Sequence, residues 1–230
     1  MGALMRAFDW NNSTLGAPEN WPQSLRTVVA VLLPSPVAIV LLWGEDGTMI
    51  YNDAYAVFAA SRHPELLGMK VRDAWPEVAD FNDNVMNVGL AGGTLSYKDQ
   101  ELILHRNGVS KPAWMDLDYS PVLDETGKPA GVIAIVVETT QKVLADRRVL
   151  AERERLQQLF EQAPGFITVL RGSDHVFELA NAAYRRLVGN RGIIGKPVRE
   201  ALPDLEGQGF FELLDSVYQA GEAHVGRRYP

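Results

Sequence analysis

The chain has 230 residues, 47% hydrophobic and 22% charged, with a net charge of −7 and no cysteine. This is the balance of an ordinary globular protein of one large or two small domains, which sets disorder aside. It excludes disulfides, Cys-ligated zinc, iron–sulfur clusters and thiol photochemistry; the acidic balance, with Arg147, Arg148, Arg153 and Arg155 interleaved among acids, argues against a nucleic-acid partner.

Asp9 to Trp21 is polar and rich in Asn and Gly, and predicts an arm. Pro22 suits the first turn of a helix over Gln23–Leu33, whose Leu25, Val28, Val29 and Leu32 share one face. Pro34 and Pro36 end it and also break the most apolar run, Val28–Trp43, which is short of the ~20 residues a membrane helix needs. With no basic start before an apolar stretch, no signal peptide is read, and the expected location is the cytoplasm, without membrane insertion. Val37–Trp43 and Thr48–Tyr51, joined by Gly44-Glu45-Asp46-Gly47, predict a hairpin. Asn52–Arg62 and Val71–Ala79 predict short helices, and Asp80–Ala91 a longer one stopped at Gly92-Gly93.

From Thr94 the period changes. Thr94–Arg106, Lys111–Val122 and Ala130–Val137 predict strands. Ala113, Met115, Leu117 and Tyr119 alternate with Trp114, Asp116, Asp118 and Ser120, the signature of a strand with one buried face. Gly131–Val137 is apolar throughout, which predicts a central strand covered on both sides. Glu138–Gln162 has no Gly or Pro and carries both charge signs; Val149, Leu156 and Ala163 lie a heptad apart, which predicts a long amphipathic helix open to coiled-coil pairing or to packing on its own domain.

The first pattern then recurs. Tyr51-Asn52-Asp53-Ala54-Tyr55 returns in Leu179-Ala180-Asn181-Ala182-Ala183-Tyr184 with Asn and Tyr in phase. Gly68 to Val78 returns in Gly195 to Leu205, and Leu90-Ala91-Gly92 in Gln219-Ala220-Gly221. Three blocks in the same order indicate an internal duplication. The stretch matching Thr94–Val137 is nearly absent from the second copy, so the chain reads as cut from the front of a longer protein. The expected layout is an N-terminal arm and helix (1–36), a first domain (37–138), a helical signalling linker (139–163) and an incomplete second domain (164–230).

This order of elements resembles the PAS family: an α+β fold with a five-stranded antiparallel sheet flanked by short helices, here in two tandem copies with the second truncated. Asn52-x-x-Tyr55, the block Gly68 to Val78, and Tyr119-Ser120-Pro121-Val122 before Gly131-Val132 resemble its recurring segments. Glu138-Thr139-Thr140 sits where the family often has the Asp-x-Thr that opens the output helix. Asp9-Trp10, Thr14-Leu15-Gly16 and Trp21 to Arg26 resemble the opening of PAS-containing bacterial sensor histidine kinases.

The resemblance implies a pocket between the short helices and the inner sheet face, with Tyr51, Tyr55, Trp75, Val85, Met86, Leu102, Leu104, Met115, Leu117 and Tyr119 as candidate lining for an unknown small ligand. The same residues also serve an ordinary core, and Trp75 reads first as a core tryptophan. Family members that hold haem use a His on or near the long helix; Asp80–Ala91 has none, so haem is disfavoured, while non-covalent flavin stays open and no cofactor is the first expectation. His63, His105, His175 and His224 are scattered, read as surface residues, and suggest no metal site. No phosphoacceptor, nucleotide-binding or Gly-rich phosphate motif is present, and no catalytic residue is assigned; Asp116 and Asp118 read as a solvated sheet face.

Two functions follow. One is a sensory input module that relays ligand or partner state through Glu138, Thr139 and Thr140 into the helix and on to an output domain of the same chain, a histidine kinase of a two-component system. The other is a dimerisation or protein-interaction scaffold with a filled core. Leu156, Leu159 and Phe160 are the expected contact of a homodimer.

Overall fold

The computed structural model describes residues 1–226, so the last four residues of the expected second domain lie outside the described residues. The chain divides into two compact units, Met1–Asp146 and Arg147–Pro230.

The first unit opens with α1 (Gly2–Ala7) and two short 3-10 turns, followed by α2 (Gln23–Leu32). The hairpin β1 (Ala38–Trp43) and β2 (Thr48–Tyr51) comes next, then α3 (Asp53–Ala59), α4 (Val71–Ala74) and α5 (Ala79–Leu90). Three long strands follow: β3 (Leu95–Arg106), β4 (Val109–Leu123) and β5 (Pro129–Glu138). They form the predicted five-stranded sheet, antiparallel throughout, in the order β2-β1-β5-β4-β3. The stripe Leu25, Val29 and Leu32 of α2 is buried. The arm is more than a loop: Trp10 and Trp21 are both buried, stack edge to face, and donate their indole N–H groups to the carbonyls of Met5 and Gly16. An amphipathic ring with a satisfied N–H is a stable plug, and local polarity concealed it.

Two predictions about strands are corrected. β5 lies between β1 and β4, yet Val132, Ala134 and Val136 are buried while Ile135 and Val137 are 39% and 47% exposed. β-branched residues suit an extended backbone on either face, so a uniformly apolar run overstates burial. The helix also starts later than predicted. Glu138 stays in the ladder opposite Met115, and Thr139 donates its N–H to the Trp114 carbonyl at 2.7 Å, so α6 (Thr140–Gln162) begins two residues on.

One buried amide ties three segments of the first unit together. Asn52 has no solvent exposure. Its Oδ1 accepts the Tyr55 N–H, capping α3, and the Ile39 N–H at the start of β1. Its Nδ2 donates to the carbonyls of Leu32, Ser35 and Val37 at 3.2, 3.0 and 2.6 Å, gathering the end of α2 and the Pro-broken link. Further along, α5 approaches β5 so closely that a Cβ on Gly89 would sit 2.3 Å from Val132 Cγ2. Only glycine permits that contact.

The second unit holds the hairpin β6 (Thr168–Arg171) and β7 (Val176–Ala180), then α7 (Ala182–Leu187), α8 (Val198–Ala201) and α9 (Phe210–Ala220). Its core is small: Phe177, Ala180, Ile193, Val198, Ala201, Leu202 and Phe211. Asn181 repeats four of the five bonds of Asn52, accepting from Tyr184 and Ile167 and donating to Ala163 and Gly165. His175 is not a surface histidine. It is buried in the hairpin turn, with Nε2 2.7 Å from Asp215 of α9. Contact with His175, and with Arg199, holds the Asp215 carboxyl below the usual carboxylate range.

Asn52→Ala removes both acceptor and donor contacts and strands several backbone groups. It is expected to cost the first unit roughly 2–4 kcal/mol. All five tryptophans fall within residues 1–146, so a urea titration followed by tryptophan fluorescence reads this unit alone.

Candidate functional site

The space between the short helices and the inner sheet face is a cavity of about 50 Å³. Seven of the candidates line it: Tyr55, Trp75, Leu102, Leu104, Met115, Leu117 and Tyr119. They meet there because α3 and the turn after α4 carry the first two, and alternate residues of β3 and β4 project the others from the opposite side. Trp75 Nε1 donates to the Tyr55 hydroxyl at 3.2 Å, and the Arg62 guanidinium lies 4.5 Å from the Trp75 ring. Burial pushes the Tyr55 and Tyr119 hydroxyls far above their ordinary pKa, so both stay protonated.

Tyr51, Val85 and Met86 are buried but form no wall of the cavity. The Tyr51 hydroxyl turns to His63 Nδ1 at 3.1 Å, and Met86 packs at the Gly47 turn. Periodicity places a residue on a buried face but does not say which neighbour it meets there.

Nine lining residues were not anticipated, and two of them matter most here. Phe58 of α3 is one. The other is Asn82, 8% exposed, whose Nδ2 has no hydrogen-bond partner. A signal for it existed: Asn82 shares the helical face of Val85, Met86 and Gly89.

The volume admits a few waters, against roughly 300–1,000 Å³ for a small-molecule site. Among the described residues no group of His, Asp and Glu could hold a metal ion. Asp116 and Asp118 form no reactive pair: Asp116 takes Lys98 and the Asp99 N–H, while Asp118 accepts from Ser96.

Residues 32–144 match the model of a family described as the PAS fold. The first unit carries a PAS domain. Among solved structures, the PAS domain of BvgS from Bordetella pertussis is 17% identical, over 57% of this chain and 97% of its own, at a TM-score of 0.42. A LOV protein of Rhodobacter sphaeroides is 17% identical, over 54% of this chain and 75% of its own, at 0.41. A sensory box sensor histidine kinase from Vibrio cholerae is 16% identical, over 50% and 88%, at 0.36. No helix among the described residues is long and apolar enough to cross a membrane.

The three junction residues close the PAS sheet. Glu138 takes both guanidinium nitrogens of Arg106, at 2.8 and 3.1 Å, and accepts the Thr140 hydroxyl at 2.8 Å. Arg106 donates also to the Phe58 carbonyl at 3.0 Å and lies 5.1 Å from the Phe58 ring. One fork thus touches a cavity residue, the end of β5 and, through Glu138, the start of α6. The Arg106 hydrogen bonds, with help from Thr140, hold the Glu138 carboxyl below the usual glutamate range against the opposing effect of burial. Arg106 had no local signal, since its partner lies 32 residues away.

Of the linker candidates, Leu156 and Leu159 are 57% and 60% exposed and Phe160 is half-buried. No residue of α6 is buried.

Asn82→Leu replaces an unpartnered buried donor with an apolar side chain of similar size. It is expected to stabilise the PAS domain by about 1 kcal/mol in urea unfolding. A loss of stability would show that the amide has a partner in solution.

Proposed function

We propose that this chain is the sensory input segment of a signalling protein: two PAS-like copies in tandem joined by α6, the helical linker, relaying the state of the first core to an output domain. The observation that carries the relay is the fork of Arg106, bonded at once to Phe58 in the cavity wall and to Glu138 at the foot of α6. A shift of α3 against the sheet moves that fork, and the junction has no Gly or Pro to absorb the change. The tandem reading is supported by the matched bonds of Asn52 and Asn181. A histidine-kinase output is supported by the motifs from Asp9 to Arg26 alone. A scaffold with a filled core is the second reading, and the small cavity favours it.

Arg106→Met is expected to speed amide exchange over Thr140–Ala151, and Glu138→Gln to do so more weakly. Because the Glu138 pKa is depressed in the folded state, its contribution is complete above the ordinary glutamate range and is lost as pH falls through the folded value. Protection over the same residues, taken relative to the intrinsic exchange rate at each pH, should therefore fall on acidification in the parent protein, but not in Arg106→Met. Unchanged exchange in both variants rejects the relay. A visible absorbance spectrum and a native mass of the purified chain test the core: a chromophore band, or a mass above that of the polypeptide, rejects the filled-core reading.

The homodimer is part of the same proposal. Leu156 and Leu159 leave large apolar side chains in water, each worth roughly 1.5–3 kcal/mol when buried. A second copy of α6 offers the matching stripe, with Phe160 at its end. The double variant Leu156→Asp, Leu159→Asp is expected to halve the mass measured by light scattering. A parent chain that is monomeric at high concentration defeats this contact.

A further inference from the structure

Both ends of α6 meet an arginine fork of the same pattern. At the foot, Arg106 places both terminal guanidinium nitrogens on Glu138, and one of them also on the Phe58 carbonyl. At the far end, Arg185 of α7 places both on the Glu161 carboxylate, at 3.1 and 2.7 Å, and one of them also on the Ala180 carbonyl at 2.6 Å. The Arg185 hydrogen bonds hold the Glu161 carboxyl below the usual glutamate range. A two-point contact of this kind fixes direction as well as distance.

The first copy has no arginine at this position. Counting from the capping Asn, Arg185 stands where Ala56 stands, and the backbone N–H of each donates to the carbonyl of that Asn. The helices that lead into the two Asn blocks also differ. α2, before Asn52, buries Leu25, Val29 and Leu32. α6, before Asn181, buries no residue. An apolar stripe locks α2 into its core; α6 is met by polar contacts at its end. The covalent path out of α6 runs through Ala163-Pro164-Gly165, where Pro164 ends the helix and a Cβ on Gly165 would meet nothing within 4 Å. The Arg185 fork spans this link, joining the last turn of α6 to the end of β7 and the first turns of α7.

We propose that Arg185 is the receiving contact of the relay, the positioning residue through which a movement of α6 reaches β7 and α7 of the second unit. The proposal rests on the relay reading above and extends it past the foot of α6. The Pro-Gly link alone would absorb a tilt or rotation of α6, whereas the fork carries it to the strand end that precedes the capping Asn181.

The test is amide exchange on the 230-residue chain. Arg185→Met is expected to speed exchange roughly two- to fivefold over Leu156–Gln162 and Ala182–Leu187, the range of a part-exposed ion pair. Arg185→Lys, which keeps the charge without the fork, should fall between the parent and Arg185→Met. Unchanged exchange over Thr168–Arg171 shows that the second unit stays folded; if Arg185→Met disturbs it, Arg185→Lys carries the comparison. The deciding measurement is a double-variant cycle with Arg106→Met. With Arg185 present, Arg106→Met is expected to raise exchange over Ala182–Leu187 as well as over Thr140–Ala151. With Arg185 replaced, the effect on Thr140–Ala151 stays and the effect on Ala182–Leu187 shrinks or is lost. A fork that only stabilises the second unit gives additive effects instead. Additive effects, or an Arg106→Met effect that stops at Thr140–Ala151, overturn Arg185 as the receiver and leave the relay at Arg106 standing. No response over Thr140–Ala151 rejects the relay itself and the receiver with it.

Discussion

The Asn52 side chain is the constraint on which the first unit depends. An amide carries one acceptor group and two donors, and here all of them are spent on backbone in a site closed to water. The groups it satisfies belong to three pieces of chain: the end of α2, the start of β1 and the first turn of α3. Burying them unpaired would cost more than any one contact returns. Asn181 solves the same problem in the second unit, where the segment gathered is the one that leaves α6.

With that corner held, the rest of the first unit is a matter of layers. The helices α3, α4 and α5 lie over the inner sheet face, and Gly89 lets α5 come within contact of Val132. The result is a core nearly filled by its own side chains. A dense core has few ways to deform, which supports the proposed passage of a displacement from Phe58 to Arg106. The Arg106–Glu138 pair is only partly exposed, and its bidentate geometry fixes direction as well as distance. That is what a relay requires of its last link before a helix.

Much of this was legible in the order of residues. The period-two run from Ala113 to Tyr119 identified the buried face of β4, and the two Asn-x-x-Tyr blocks marked equivalent helix caps. The list of pocket residues was legible as a list of buried ones, and seven of them do share a cavity. Tyr51, Val85 and Met86 fell outside it because burial and facing the same void are different properties, and only the second depends on packing. Asn82 was overlooked for the opposite reason: a polar residue on an apolar helical face was read by its type instead of its position.

Local chemistry was therefore enough for the element types, the breaks at Pro34 and Pro36, and the repetition of the pattern after Glu138. These rest on period, capping and backbone preference, all of which act over a few residues. The cover on β5, the burial of Trp10 and His175, the two-residue delay of α6 and the joining of Arg106 to Glu138 came from packing. Each depends on groups tens of residues apart competing for one partner or one face. In such a contest the winner is set by distances in the folded chain, and these are not written in any window of its sequence.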